Sequence, residues 1–337
     1  EQAKFQRVNN ELNRFNLSVN HLMMLLDPIM MLTMNLTSVA VVWFGAKLID
    51  INGLEIGNMM AFLQYAMQII ISFLMISMVF IMVPRATVSL QRVNEILNMK
   101  PSIINPKEPK HFPSNGKGKI EFRDVTFSYP DANLPVLSGI NFTAEPGQTT
   151  AFIGSTGSGK STLINLIPRF YDVSAGQILI DDIDIREVSS NELMSRIGYI
   201  PQKGVLFSGT ITSNIAYGNP KASSKQIEEA AKIAQAAEFI NELDKKYSSN
   251  VSQGGKNVSG GQRQRLSIAR ALATDAKIYI FDDSFSALDF KTDARLRQAL
   301  TKKTKNKTVL IVAQRINTIM NADKIIVLNE GKIVGQG

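Results

Sequence analysis

The chain has 337 residues, about two domains' worth, with a net charge of +8 and a hydrophobic share of 45%. It has no cysteine, which excludes disulfides and thiolate metal sites, and its two histidines, His21 and His111, lie too far apart in sequence to suggest a zinc cluster. An excess of Lys and Arg fits either nucleic acid or a membrane, and the uneven spread of apolar residues favours the membrane.

The chain opens Glu1-Gln2-Ala3, with neither Met nor a signal peptide, and so reads as a fragment of a longer protein. Phe5, Val8, Leu12, Phe15 and Val19 recur at helical spacing in a polar stretch, which predicts a solvated helix with one packed face. Pro28–Ala46 and Ile56–Pro84 then carry no formal charge. At about 1.5 Å per residue, each run is long enough to cross a hydrocarbon core of about 30 Å. Two membrane-spanning helices are therefore expected, over about 20–48 and 56–84. The turn between them, Lys47 to Glu55, is net negative. Lys4, Arg7 and Arg14 precede the first span, and Arg85, Arg92 and Lys100 follow the second. That bias puts both outer ends in the cytoplasm and the turn outside, with Trp43 and Phe44 at the outer interface.

Asn20, Asp27, Asn35, Gln64 and Gln68 bring polar groups into this apolar region. Asp27 precedes Pro28, where a kink is expected. Its carboxylate either draws a cationic substrate into a cavity or is wetted near the cytoplasmic boundary. Methionines are dense from Met23 to Met82, suited to a promiscuous binding surface or to filling gaps. The helical pattern runs on through Leu97 into the cytoplasm. Residues 100–118, with spaced prolines among Lys, Asn and Gly, read as an extended linker. The membrane part is thus 1–99, and a second domain occupies 119–337.

In that domain, Ile120–Val125 and Gly139–Thr143 alternate like half-buried strands. Continuous apolar runs appear at Thr149–Ile153, Ile278–Phe281, Thr308–Val312 and Ile325–Leu328, with helical stretches between several of them. This pattern predicts an α/β domain with a largely parallel sheet and an antiparallel β part at the front. Gly154-Ser155-Thr156-Gly157-Ser158-Gly159-Lys160-Ser161 fits G-x-x-x-x-G-K-[ST], between the Thr149–Ile153 strand and a helix from Thr162 to Ile167. Glycines let backbone N–H groups curl around phosphate oxygens, and the helix N-terminus adds positive potential. Lys160 is expected at the β- and γ-phosphates and Ser161 on Mg2+.

Ser259-Gly260-Gly261-Gln262-Arg263-Gln264-Arg265 is similar to the signature of the ATP-binding cassette (ABC) family, and the whole of 119–337 resembles that family's ATPase. Ser259 is placed to cap a helix from Gln262 to Leu272, which leaves the Gly260 and Gly261 amides as an anion site. The resemblance implies that Ser259–Gln262 face the γ-phosphate of a second domain, so that function needs a dimer. Lys277–Asp282 resembles the Walker B strand, which implies Asp282 on Mg2+ through water. Gln202, after Ile200-Pro201, resembles the Q-loop glutamine, which senses Mg2+ and γ-phosphate and contacts the membrane domain. Tyr129, in Phe127-Ser128-Tyr129-Pro130, resembles the aromatic that stacks on adenine, and Ser286–Asp289 resembles the D-loop that crosses the dimer interface. ATP phosphates are then expected on Ser155, Thr156, Gly157, Ser158, Gly159, Lys160, Ser161 and Thr162. The two spans resemble the last two helices of an exporter's six-helix membrane domain. The implied fold is multidomain: all-α transmembrane helices followed by an α/β P-loop NTPase with an antiparallel β subdomain.

Two positions depart from the family pattern. Asp283 stands where the family has its hydrolytic glutamate, and Gln314 where it usually has a γ-phosphate histidine. A carboxylate one methylene shorter loses reach to the attacking water, and a glutamine cannot become a cation. Both changes imply a site that binds ATP and hydrolyses it slowly, while the preserved signature completes a competent site on a partner. This combination resembles one half of a heterodimeric bacterial multidrug exporter. The implied function is ATP-driven export of small amphipathic molecules across the cell membrane, with a second half-transporter as partner and lipid around the helices. No basic–aromatic cluster points to nucleic acid. Alternatives are a homodimeric lipid or peptide exporter, and a nucleotide-gated regulatory or channel protein; the two spans speak against a soluble ATPase acting on DNA or ribosomes.

Overall fold

The computed structural model describes residues 2–51, 53–315 and 319–337, in two compact units, Glu1–Lys100 and Pro101–Gly337.

The first unit is a hairpin of α1 (Gln2–Asp50, 49 residues) and α2 (Ile56–Leu97, 42 residues). At 1.5 Å per residue these are about 74 and 63 Å long, so both overrun a hydrocarbon core of about 30 Å. Each continues through its internal proline, Pro28 or Pro84. Within the spans, Thr33, Thr37, Ser38, Ser72 and Ser77 return their hydroxyls to carbonyls four residues earlier, which hides the polar O–H from lipid. At the closed end of the hairpin Gly45 is buried, and a Cβ there would lie 2.7 Å from Cγ and Sδ of Met59. The helices come this close only because Gly45 has no side chain. Asn20, Asp27, Asn35, Gln64 and Gln68 are all exposed, away from this contact. Lys47 lies over the Trp43 ring, 5.1 Å from its centroid.

The second unit runs β1 (Ile120–Phe127), β2 (Leu137–Ala144), β3 (Thr149–Gly154), α3 (Lys160–Leu166), β4 (Ala175–Ile180), β5 (Ile183–Asp184), α4 (Ser190–Ser195), β6 (Ile197–Ile200), β7 (Gly209–Thr210), α5 (Ile211–Ile215), α6 (Ser224–Ile233), α7 (Ala237–Glu242), β8 (Asn250–Val251), α8 (Gly260–Leu272), β9 (Ile278–Asp282), α9 (Phe290–Lys303), β10 (Thr308–Val312), β11 (Lys324–Asn329) and β12 (Lys332–Gln336). A six-stranded sheet has the order β12-β11-β3-β10-β9-β6 and is parallel except for the β11–β12 hairpin. An antiparallel four-stranded sheet has the order β2-β1-β4-β5.

β9 and β10 are buried at every position because both of their faces are covered. Ile278, Ile280, Leu310 and Val312 point into a core shared with β1, β2, β4 and α3. Tyr279, Phe281, Val309 and Ile311 point to the opposite core, built with α5 to α9. The six-stranded sheet therefore divides two cores, and its strand ends are held rigidly where loops leave them.

The stretch 101–118 has no helix or strand but is fastened to the second unit. Phe112 is buried. Its N–H donates to Glu192 at 2.8 Å, and His111 Nδ1 lies 2.8 Å from the same carboxylate. Asp181 receives the backbone N–H groups of Lys117, Gly118 and Lys119.

Candidate nucleotide-binding site

β3 ends at Gly154, where a Cβ would collide with the Leu328 carbonyl of β11. The chain then loops through residues 155–159 into α3. Gly159 caps that helix at φ +98°, with Leu137 Cδ2 2.7 Å from where a Cβ would stand. Both positions need glycine, one for close approach and one for a left-handed turn. The Lys160 side chain is buried inside the loop and donates to Gly154 O (2.8 Å), Ser155 O (2.7 Å) and Ser158 Oγ (3.3 Å). Burial holds its pKa below the ordinary lysine value, and the charges of Asp283 and Asp282 oppose this only in part.

The neighbouring strands deliver the acidic groups. Asp282, the last residue of β9, is buried and accepts a 2.9 Å hydrogen bond from Ser161 Oγ. Burial raises its pKa most and the adjacent Asp283 adds to this, while the Ser161 hydroxyl and Lys160 oppose it. β6 pairs with β9 so that Ile200 stands opposite Phe281, and the turn beyond it brings Gln202 to Asp283. Gln202 Nε2 donates to Asp283 Oδ2 at 3.3 Å. Asp283 has φ +45°, and its N–H donates to Val312 O at 3.0 Å. Val312 pairs with Asp282, so Gln314, two residues past Val312, leaves the sheet at the same end. The Gln314 side chain is exposed, and among the described residues no hydrogen bond ties it to either carboxylate.

Tyr129 is half-buried, and its hydroxyl shares a 3.0 Å hydrogen bond with Thr162 Oγ1. Its ring lies edge-to-face with Phe127 (4.9 Å) and with Tyr171 (5.2 Å). The Tyr129 ring is thus tied directly to the start of α3.

Ser259 caps α8, which begins at Gly260, two residues earlier than the sequence predicts. Its Oγ accepts from Gln262 N at 3.2 Å while Gln262 Oε1 accepts from Ser259 N at 2.9 Å, a reciprocal capping box. The Gln262 side chain therefore holds the helix start. Nothing lies within 4 Å of a Cβ placed on Gly260, and Gly261 has only Ala287 O at 3.5 Å, so both glycines border open space. Among the described residues no hydrogen bond joins 259–262 to 154–162. The fold therefore gathers Lys160, Ser161, Gln202, Asp282 and Asp283 in one place and keeps the signature glycines apart from them.

Three supporting residues receive no role from the sequence, although one of them, Gln264, lies inside the signature motif. Tyr171 buttresses Tyr129. Buried Ser284 donates to Ile200 O at 2.9 Å, tying the turn after β9 to the end of β6. Gln264 is 2% exposed within α8. Only Gln264 left a trace in the sequence: it shares the helical face of Ser267, Ile268 and Ala271, a polar group on a buried stripe.

Residues 137–286 match the family "ABC transporter", and residues 1–73 match "ABC transporter transmembrane region". The chain is 44% identical over its whole length to an uncharacterized ABC transporter ATP-binding protein of Mycobacterium tuberculosis, and covers 58% of that protein. It is 38% identical over its whole length to the ATP-dependent lipid A-core flippase of Syntrophus aciditrophicus, of which it covers 56%. A Staphylococcus aureus protein with the provisional name multidrug export ATP-binding/permease protein is 46% identical over 66% of the chain, which spans 38% of it. The fold superposes on a bacterial Atm1-family ABC exporter solved with ATP bound, at a TM-score of 0.83 and 31% identity, over 93% of this chain and 55% of that one. The chain thus spans little more than half of the length of relatives that match it throughout. With membrane-spanning helices followed by a cytoplasmic nucleotide-binding domain, it belongs to the ABC transporter family.

Proposed function

We propose that this chain is part of one subunit of a heterodimeric ABC exporter that moves small amphipathic molecules across the cell membrane, and that its own nucleotide site binds ATP but hydrolyses it slowly. Tyr129 carries the adenine, and residues 155–162 carry the phosphates, with Lys160 as the cation among them. Ser161 Oγ and Asp282 Oδ1, 2.9 Å apart, supply the hard oxygen donors that Mg2+ prefers, and the Gln202 side chain stands beside them. Bound there, Mg2+ would neutralise phosphate charge. Ser259, Gly260 and Gly261, held by Gln262, complete the site of the partner half-transporter.

The observation that carries the slow-site reading is the Asp283–Gln202 contact of 3.3 Å. The carboxylate in the general-base position is short, is already hydrogen-bonded to the Q-loop amide, and has Gln314 in place of an ionisable ring across the same strand ends. A general base needs hydrogen-bond reach of about 2.6–3.2 Å to its proton, and a displacement near 1 Å costs about a hundredfold. The test is ATPase of the purified full-length chain, alone and with its co-purifying partner. Weak turnover alone and substrate-stimulated turnover in the complex are expected; robust, substrate-stimulated ATPase from this chain alone would refute the slow site.

A second reading is a homodimeric lipid or peptide exporter, and the name of the Syntrophus relative, a lipid A-core flippase, supports a lipid as its substrate. Competition between amphipathic drugs and labelled lipid in proteoliposomes separates the two.

A further inference from the structure

Gln264 has no place among the groups assigned to nucleotide, yet it is a buried amide with both ends of its side chain engaged. Its Oε1 accepts from Gly204 N–H at 3.0 Å, and its Nε2 donates to Pro201 O at 3.1 Å. Those two backbone groups bracket Gln202 and Lys203. A carboxamide presents an acceptor and donors on one rigid plane, so a single side chain serves both rims of the turn. A carboxylate would offer only acceptors, and a leucine neither.

The turn also lies against α8 without slack. A Cβ on Gly204 would meet Arg263 O and Ser267 Cβ at 3.0 Å. Further along α8, Arg270 donates to Val205 O (2.8 Å), Asn214 O (2.9 Å) and Asn214 Oδ1 (2.8 Å). Leu206 O accepts from Gly254 N at 3.1 Å, in the loop that leads to the signature. Residues 201–206 are therefore held by α8 and by the segment entering it. The Gln202 side chain meanwhile reaches the other way, to Asp283.

We propose that Gln264 is a positioning residue that fastens the Gln202 turn to the signature helix, so that a displacement of Gln202 in this chain's nucleotide site carries Ser259–Gly261 with it in the partner's. The inference rests on the nucleotide reading above. From Gly260 to Gln264 is four residues of continuous helix, about 6 Å, which transmits a shift with little bending.

Hydrogen exchange tests this on the full-length transporter with its partner, in phosphatidylethanolamine–phosphatidylglycerol nanodiscs, with and without Mg-ATP. In the wild type, ATP should slow exchange in 155–162 and change it in 201–206 and 258–262 together. Gln264→Leu should speed exchange at 204–206 by about tenfold and abolish the ATP response of 258–262 while keeping that of 155–162. The milder Gln264→Glu, which keeps the acceptor for Gly204, should fall between. A Gln264→Leu protein that retains the 258–262 response overturns the positioning role. A wild type with no ATP response at 155–162 overturns the nucleotide reading and this inference with it. Turnover gives a second readout. Gln264→Leu should lower kcat by about tenfold alone, and by less than about twofold in a Gln202→Ala background, because residues acting through one contact do not add. Losses that multiply fully count against the proposal.

Discussion

Asp283 sits at φ +45°, a backbone region that Asp and Asn enter more readily than longer side chains. Its carboxylate is spent on Gln202, and it adds negative charge beside the buried Asp282. Restoring Glu here extends the carboxylate by one methylene, and restoring His at 314 returns an ionisable donor to the same strand ends. We predict that Asp283→Glu together with Gln314→His raises single-site turnover in the complex by about ten- to a hundredfold, and that Asp283→Glu alone does less. The assay is a single-turnover measurement with the opposite site blocked. An unchanged rate in the double variant would remove the geometric reason for calling this site slow.

Between the helices and the ATPase, residues 101–118 are fastened partly through Asp181 and partly by contacts that depend on α4. Ser189 caps α4, and Glu192 in its first turn receives both the Phe112 N–H and the His111 ring. Burial alone would raise the Glu192 pKa, but the Phe112 N–H, His111 and the Arg196 charge together outweigh it and hold the pKa below the usual range. A depressed carboxyl stabilises the fold above its unfolded pKa, and that contribution is lost as pH falls through the folded value. Glu192→Ala should cost about 1–2 kcal/mol by leaving a buried N–H without an acceptor. Glu192→Gln should remove this group's share of the acid destabilisation. Urea denaturation of the complex at neutral and mildly acidic pH, following a probe on the ATPase unit, reads both. The prolines of this stretch announced its extended backbone, but nothing local announced its partners, which lie some 80 residues away. The same limit explains which strands the sequence showed. β3, β9 and β10 are covered on both faces and read as apolar runs, and β11 shows as the run Ile325–Leu328 although Val327 and Asn329 are exposed. β4 begins with the exposed Ala175 and Gly176, and β12 alternates with exposed residues, so neither stands out until its neighbours are placed. The nucleotide loop was legible because its chemistry is contiguous; the clasp of Gln264 on Pro201 and Gly204 was not, because it joins segments about 60 residues apart.

At the scale of the whole molecule, the proposed function gives one chain two unlike half-sites. Lys160 is buried in its own loop, whereas Gly260 borders open space. Among the described residues a Cβ at Gly260 meets nothing within 4 Å beyond its own helix turn, so Gly260→Val acts chiefly on whatever docks against α8. If the partner's site does most of the hydrolysis, Gly260→Val in this chain should lower ATPase of the assembled transporter by about a hundredfold or more, comparable to the loss of oxyanion-type donors. Its melting temperature should stay within a few degrees of wild type, since valine is no poorer a helix former than the glycine it replaces. Lys160→Met, which weakens nucleotide at this chain's own site, should lower turnover by no more than about tenfold in a transporter whose other site still cycles. A homodimer with two equal sites gives a different result, because each variant then damages both sites and both abolish turnover. Activity that survives Gly260→Val but not Lys160→Met would reverse the assignment and make this chain's own loop the hydrolytic centre.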